Sequence, residues 1–120
     1  MIKTVRSAGS LVAPSIASVT AAAASMKLPK NTDYRVSIVN APGKDSYPIS
    51  SMTWILVYQN QPDRVKGAKL VSFLRWAYKD GEKAASALDY APLPAQMVAA
   101  LQNRLKTINV NGATNVGATR

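Results

Sequence analysis

Apolar residues recur at helical spacing near the start of the chain, in its middle and near its end. The first such pattern begins at Pro14, which suits the first turn of a helix, and is ended by Pro29. Its apolar positions are Ile16, Val19, Ala23 and Met26. This spacing predicts an Ala-rich helix.

The middle pattern predicts a longer amphipathic helix that Asp63 caps at its N-terminus. One side is polar, with Lys66, Lys69, Ser72, Arg75 and Lys79, and the other is apolar, with Leu70, Val71, Leu74, Ala77 and Tyr78. Asp80-Gly81 interrupts the pattern. A short helix is predicted from Glu82 to Leu88, and its Ala84, Ala85 and Leu88 side chains would be available for packing.

The last helix is predicted to start at Pro94. Its buried face would consist of Met97, Val98, Leu101, Leu105 and Ile108. Residues 109–120 are rich in Gly, Asn and Thr and show no periodicity, which predicts a disordered tail. Residues 1–108 would be the C-terminal part of a domain.

Two segments have the composition of β-strands. Tyr34 to Val39 is β-branched and partly alternating, which predicts a short strand, and turn residues follow it. Ser51 to Tyr58 is nearly continuous in apolar and β-prone residues. Such a run is typical of a central strand that is covered on both faces of a sheet.

Composition excludes several classes of function. The chain has 120 residues and neither Cys nor His, so disulfides, thiolate nucleophiles, imidazole catalysis and the usual zinc sites are ruled out. No apolar run approaches the ~20 residues of a membrane-spanning helix. The six acidic residues show no carboxylate pair at catalytic or metal-binding spacing. We therefore expect no enzyme, no metal and no cofactor.

The formal charge of +9 predicts attraction to polyanions. The candidate basic surface is the stripe Lys66, Lys69, Arg75 and Lys79 together with Lys83, Arg104 and Lys106. Trp54, Tyr58, Trp76 and Tyr78 could form a stacking platform for single-stranded nucleic acid, but packing in a core is the more common role of such aromatics.

The N-terminus is similar in composition to a secretory signal. MIKTVR is basic, and small and apolar residues follow it. Ser10, Pro14 and later polar residues break up the apolar stretch, so we expect a helix here and no working signal peptide.

Four elements in order carry a resemblance to a known family: APSIASVTAAAA, VSIVNAPGKDSYPISSMTWILVY, KGAKLVSFLRWAYKDGEKAASALDYAPLP, and the final amphipathic helix. Over about residues 12–108 they resemble the C-terminal part of the periplasmic phosphate-binding protein of bacterial ABC-type phosphate importers. The fold class implied is α/β: a partial lobe of a two-lobe, type II-like periplasmic-binding-protein fold, mostly helices with two or three strands.

The resemblance implies a phosphate held between two hinged lobes by backbone N–H groups and by Ser, Thr, Arg and Asp side chains. The family's Gly-, Thr- and Ser-rich ligand loops have no counterpart here. The sequence therefore assigns no phosphate-binding, catalytic, cofactor or metal residue to this chain. We expect it to be a C-terminal fragment that supplies scaffold.

The partners that the resemblance implies are inorganic phosphate, bound through the N-terminal portion that is missing, and the membrane permease of the importer. The localisation it implies is periplasmic or extracellular. The alternative left open is a small basic protein that binds polyanions or nucleic acid through the basic stripe, although no nucleic acid is expected if the resemblance holds.

Overall fold

The chain folds into two compact units, one made of residues 1–54 and 85–94 and the other of residues 55–84 and 95–120. We call them unit 1 and unit 2. The computed structural model describes residues 4–5, 10–29 and 32–112.

Unit 1 begins with a two-stranded antiparallel sheet that the sequence pattern did not predict. β1 (Thr4–Val5) pairs with β2 (Leu11–Val12), with Thr4 opposite Val12 and Val5 opposite Leu11. Strands of two residues are too short to show an alternation of apolar and polar positions in the sequence.

The predicted first helix forms as α1 (Ile16–Ala24) and ends five residues before Pro29. Ser15 and Ser18 close its N-terminus as a capping box, since each side chain accepts a hydrogen bond from the other residue's backbone N–H. Its buried residues are Ser18, Ala22 and Ala23. Ile16, predicted on the apolar face, lies in the first turn of α1 and is 37% exposed.

The strand predicted from Tyr34 to Val39 is wrong, because these residues form an irregular segment. Tyr34 has a φ of +66°, outside the β region. Only Ile38 of this segment enters the core of unit 1, where Val12, Ala22, Ala23 and Ala41 are also buried.

The turn that follows is held by local hydrogen bonds. The Asn40 N–H donates to the Pro48 carbonyl at 2.8 Å, and the Ser46 hydroxyl donates to the Pro42 carbonyl at 2.8 Å. Gly43 has a φ of +109°, a conformation that suits glycine. The Tyr47 N–H donates to the Ser18 carbonyl at 3.0 Å and ties this turn to α1.

Unit 2 is built on two helices, α2 (Arg64–Ala77) and α3 (Ala95–Leu105), close to the predicted positions. Val71 and Leu74 of α2 pack with Leu105, the last residue of α3, and with Ile108, which follows the helix. Leu70, Tyr78 and Val57 pack against this cluster. The core of unit 2 therefore lies between the apolar faces that the spacing predicts.

The segment after α2 forms two 3₁₀ turns, which are wound more tightly than the predicted helix. A 3₁₀ turn, Gly81–Ala84, belongs to unit 2, and a second, Ser86–Leu88, belongs to unit 1. The predicted packing of this segment is wrong for Ala84 and Leu88, which are exposed. In the second turn, Asp89 has a φ of +59°, which stops the chain from continuing as a helix.

The predicted central strand from Ser51 to Tyr58 is also wrong, since the segment has no regular secondary structure. The fold class is confirmed only as a helix-rich chain with short strands, and the two strands are not the predicted ones. No helix in the described part of the chain is long and apolar enough to span a membrane.

The predicted tail, residues 109–120, falls mostly on residues 113–120, which lie outside the described residues. At its start, Asn109 forms a parallel bridge with Asn60, and Val110 is buried. These residues extend the ordered part of unit 2 beyond α3.

Candidate functional site

The most exposed apolar residues lie in the segment predicted as a central strand, which we call the apolar segment 51–58. Trp54 is 46% exposed, Ile55 65%, Leu56 91% and Tyr58 83%. Residues 51–58 make no backbone-to-backbone hydrogen bond with another described residue. The segment therefore has the sequence of a buried strand but lacks the backbone partners of one, and most of its side chains are exposed.

One end of this segment is fixed within unit 2. The Asn109 N–H donates to the Gln59 carbonyl and the Gln61 N–H donates to the Asn109 carbonyl, each at 2.8 Å. The Asn111 N–H donates to the Asn60 side-chain oxygen at 3.1 Å. Val57 packs against the core while Leu56 and Tyr58 on either side of it are exposed. This alternation is that of a strand with one face covered.

The residues of the basic stripe predicted from the sequence differ in exposure and in their partners. Lys66, Lys69 and Lys79 are exposed, whereas Arg75 is only half-exposed and has a partner. Lys83 pairs with Asp80 at 3.4 Å, and Lys106 donates to the Asn103 side chain at 2.8 Å. Arg104 is also exposed and lies in the last turn of α3. Lys66 and Lys69 are the cations on the side of α2 opposite the core.

Two apolar residues on that same side were not predicted from the sequence. Val65 is 64% exposed and Phe73 58% exposed, and both follow the helical spacing of Lys69. A helical projection centred on the buried Val71 would have placed them on the outer side of α2. The outer side of this helix is therefore a mixture of apolar and basic side chains.

The four aromatics considered for stacking have different environments. Tyr78 packs on the core of unit 2, as predicted. Trp54 and Tyr58 are exposed, so the predicted core role is wrong for them, because the sheet that would cover them has not formed. The Trp54 indole N–H donates to the Tyr34 carbonyl at 2.9 Å. Trp76 is 54% exposed and lies 5.8 Å from Phe73 between ring centroids.

The acidic residues with shifted pKa values have structural partners. The Lys66 and Val65 N–H groups donate to the Asp63 carboxylate and lower its pKa. The Arg35 side chain, 2.6 Å from Asp33, lowers the pKa of that carboxyl group. Within the described ranges no group of three acidic residues could hold a metal ion. These carboxylates serve as a helix cap and a surface ion pair.

Three buried serine hydroxyls of unit 1 are already used as donors, whereas the buried Thr20 hydroxyl has no hydrogen-bond partner in the part of the chain that the structure describes. Ser18 donates to the Ala13 carbonyl, Ser46 to that of Pro42 and Ser50 to that of Tyr47, each at 2.8 Å. A hydroxyl has a single hydrogen to donate. In this arrangement none of the three has a hydrogen left for an anion.

A shallow cavity of about 310 Å³ lies in unit 1 where α1 ends. It is lined by Ser25–Lys27 and by residues 37–42. The Ser25 hydroxyl donates to the Ala22 carbonyl at 2.8 Å, and much of the remaining lining is apolar. The cavity does not bring together the several donors that hold an oxyanion.

Comparison with known proteins places the chain beside phosphate-binding proteins. The Haemophilus influenzae phosphate-binding protein PstS is 35% identical over 102 residues, which cover 83% of this chain and 30% of that protein. The Xylella fastidiosa phosphate-binding protein PstS (strain 9a5c) is 33% identical over 91 residues, covering 76% of this chain and 25% of that protein. No family model matches.

A relative of another kind is a putative serine/threonine-protein kinase/receptor of Acanthamoeba polyphaga mimivirus. It is 31% identical over 112 residues, covering 91% of this chain but 6% of that protein. The chain spans less than a third of the length of the PstS relatives described above. The resemblance inferred from the sequence motifs is confirmed, since about four fifths of this chain is similar to part of the phosphate-binding protein PstS.

Proposed function

We propose that this chain is a C-terminal portion of a phosphate-binding protein that acts in ABC-type phosphate import. Its role there is to supply scaffold, while the remaining portion of the protein supplies the phosphate ligands. The proposed location is the periplasm, and the proposed partners are inorganic phosphate and the permease of the importer. We propose no catalytic role.

The observation that carries this proposal is the exposure of the apolar segment 51–58 in a chain related to less than a third of PstS. A run of strand-forming residues needs neighbouring strands to satisfy its backbone and cover its side chains. The rest of a PstS-like protein is the natural source of both. The segment would then join a sheet to which the missing portion contributes the adjacent strands.

No cluster of convergent donors is found among the described residues, and this supports the assignment of a scaffold role. Oxyanion sites use several donors aimed at one point. In unit 1 the buried hydroxyls of Ser18, Ser46 and Ser50 donate to backbone carbonyls instead. We therefore propose that the phosphate ligands lie outside this chain.

Reconstitution tests the proposal. The chain is co-expressed with the part of Haemophilus influenzae PstS that the similarity does not cover, and phosphate binding is measured by isothermal titration. We expect a stable complex that binds one phosphate, and no saturable micromolar binding by the chain alone. Phosphate binding by the chain alone would show that a site exists here and would contradict the scaffold role.

A variant checks that assembly depends on the apolar segment 51–58. Leu56→Lys places a charge on the most exposed side chain of the segment, where a covering sheet would have to bury it. We expect it to prevent assembly. Arg104→Ala, which changes an exposed side chain on α3, is the control and should assemble normally. Equal assembly of both variants would contradict the role of this segment.

A further inference from the structure

The outer side of α2 combines positive charge with exposed apolar surface. α2 contains Arg64, Lys66, Lys69 and Arg75 and no acidic residue. The described residues of unit 2 include eight Lys and Arg and three Asp and Glu. Asp63 is held by the backbone at the helix N-terminus, and Asp80 pairs with Lys83. Asp63 accepts a hydrogen bond from the Lys66 backbone N–H and interacts with the Lys66 charge, whereas Lys69 forms no ion pair with an acid in the described part of the chain.

Five residues define what we call the aromatic–lysine face of α2. They are Val65, Lys66, Lys69, Phe73 and Trp76, which recur at the three- and four-residue steps that place side chains on one side of a helix. Of its apolar members, Val65 is 64% exposed, Phe73 58% and Trp76 54%. The buried residues Gly67, Val71 and Leu74 lie on the other side of α2.

The aromatic pair on this face has a defined position. The Phe73 and Trp76 rings are tilted by 33° with centroids 5.8 Å apart. The backbone of Gly81 approaches the indole so closely that an added Cβ would lie 3.2 Å from Trp76 Cζ3. Such a contact limits the positions open to the indole. The exposed rings are thus partly preorganised by the 3₁₀ turn that follows α2.

We propose that the aromatic–lysine face docks on an anionic lipid bilayer. Exposed Phe, Trp and Val side chains enter the boundary between headgroups and acyl chains, as they do in interfacial amphipathic helices. Lys66 and Lys69 lie beside them and extend their ammonium groups to lipid phosphates, because lysine can bury its stem and keep its charge at the interface. The chemistry recognised is a negatively charged headgroup layer above hydrocarbon.

Charge complementarity distinguishes this face from the apolar segment 51–58. That segment carries no charged side chain, so its chemistry fits an apolar partner within a protein. The aromatic–lysine face instead needs a partner that carries negative charge and also has an apolar region in which the exposed Val65 side chain can be buried. Single-stranded nucleic acid would use the rings and lysines, but a base has no stacking contact to make with the Val65 side chain.

Vesicle flotation with the full chain tests the proposal, since bound protein rises with the vesicles and aggregated protein does not. The probes are vesicles of phosphatidylglycerol mixed with phosphatidylcholine, compared with vesicles of phosphatidylcholine alone. We expect flotation with the anionic vesicles only. In a Trp54→Phe background Trp76 is the single Trp, and its emission should shift to shorter wavelength on binding.

Two double variants with the same change in net charge separate a specific face from general attraction. Lys66→Glu/Lys69→Glu should weaken vesicle binding at least about tenfold, on the scale of the contribution of each surface lysine. Lys27→Glu/Lys44→Glu, at exposed positions of unit 1, should weaken it much less. Circular dichroism of each variant verifies that the helices are retained.

Phe73→Ser gives an independent test, because it removes an inserting ring and leaves the charge unchanged. It should reduce both flotation and the spectral shift of Trp76. Equal loss of binding in the two double variants would overturn the proposal in favour of nonspecific attraction. Stronger binding to a thymidine oligonucleotide than to vesicles, with quenching of Trp76, would overturn it in favour of nucleic acid.

Discussion

Helix α2 and the apolar segment 51–58 are both recognisable in the sequence, yet only one takes the predicted form. The spacing and cap of α2 predicted a helix with one apolar face, and the structure has that helix with Val71 and Leu74 in the core. The apolar segment 51–58 predicted a buried strand, and Leu56 is instead 91% exposed.

The difference lies in where each element finds its hydrogen-bond partners. A helix bonds each backbone N–H to a carbonyl four residues earlier, so α2 carries its partners within its own sequence. A strand must find its partners on another segment. Apart from the bridge between Asn60 and Asn109 beyond its end, the apolar segment 51–58 meets no such neighbour among the described residues.

The largest expected effect comes from the same substitution made in these two regions. Leu74 is 3% exposed and Leu56 is 91% exposed. Leu74→Ala should lower the free energy of unfolding by about 2–5 kcal/mol, since it removes buried methyl groups and leaves a cavity. Leu56→Ala should change it by less than about 0.5 kcal/mol. Denaturant unfolding measures both.

If the two variants lost similar stability, Leu56 would be buried in the folded chain in solution. The two regions would then no longer differ in the burial of their leucine side chains. This result would indicate that the apolar segment 51–58 forms a covered strand, through self-association if the effect depended on protein concentration.

The second prediction concerns self-association of the isolated chain. Exposed apolar strand-like segments promote intermolecular contact, and charged side chains oppose it. We expect sedimentation velocity to show concentration-dependent association of the chain and a clear shift toward monomer in Leu56→Lys. A monomer at all concentrations, with a sharp and reversible thermal transition, would show that these residues form a self-sufficient domain.

A smaller effect is expected at the start of α2. Asp63→Ala removes the carboxylate that accepts hydrogen bonds from the N–H groups of Val65 and Lys66 at 2.8 and 3.0 Å. The loss of stability should be less than that of Leu74→Ala, and Asp63→Asn should retain most of the cap. Circular dichroism during thermal unfolding compares the three variants.

The Asp63 cap also predicts a pH dependence. Its pKa in the folded chain is lowered from the ordinary value of 3.8, chiefly because the Lys66 N–H binds the charged carboxylate. The stabilisation is therefore complete above that ordinary value and is lost as the pH falls through the folded pKa. The difference in thermal midpoint between the parent chain and Asp63→Ala should shrink in acid. A constant difference would contradict the cap.

The smallest effect is expected at the ion pair between Lys83 and Asp80, 3.4 Å apart, whose side chains are 80% and 51% exposed. Exposed pairs contribute little because water and salt screen them. Lys83→Ala should leave the unfolding midpoint unchanged within error. A marked loss would mean that the turn after α2 is more tightly packed than its exposure indicates.

The sequence by itself determined the three α-helices and the Asp63 cap of α2. The spacing of Val71 and Leu74, the position of Asp63, and Pro94 directly before α3 act through neighbours a few residues away, whereas α1 begins at Ile16, two residues after the predicted start at Pro14. The family was also recognisable from motifs in order, since it depends on residue identity and not on packing. The absence of His and Cys excludes imidazole and thiolate chemistry whatever fold the chain adopts.

Only the tertiary structure decided which predicted strands have partners and which side chains are covered. Tyr34 at a φ of +66° and the exposed Leu56 depend on what the rest of the fold offers them. The same holds for the outer side of α2, where Phe73 and Trp76 lie beside Lys69 in a contact that Gly81 helps to position. Strand pairing and burial join residues far apart in sequence, so local pattern cannot specify them.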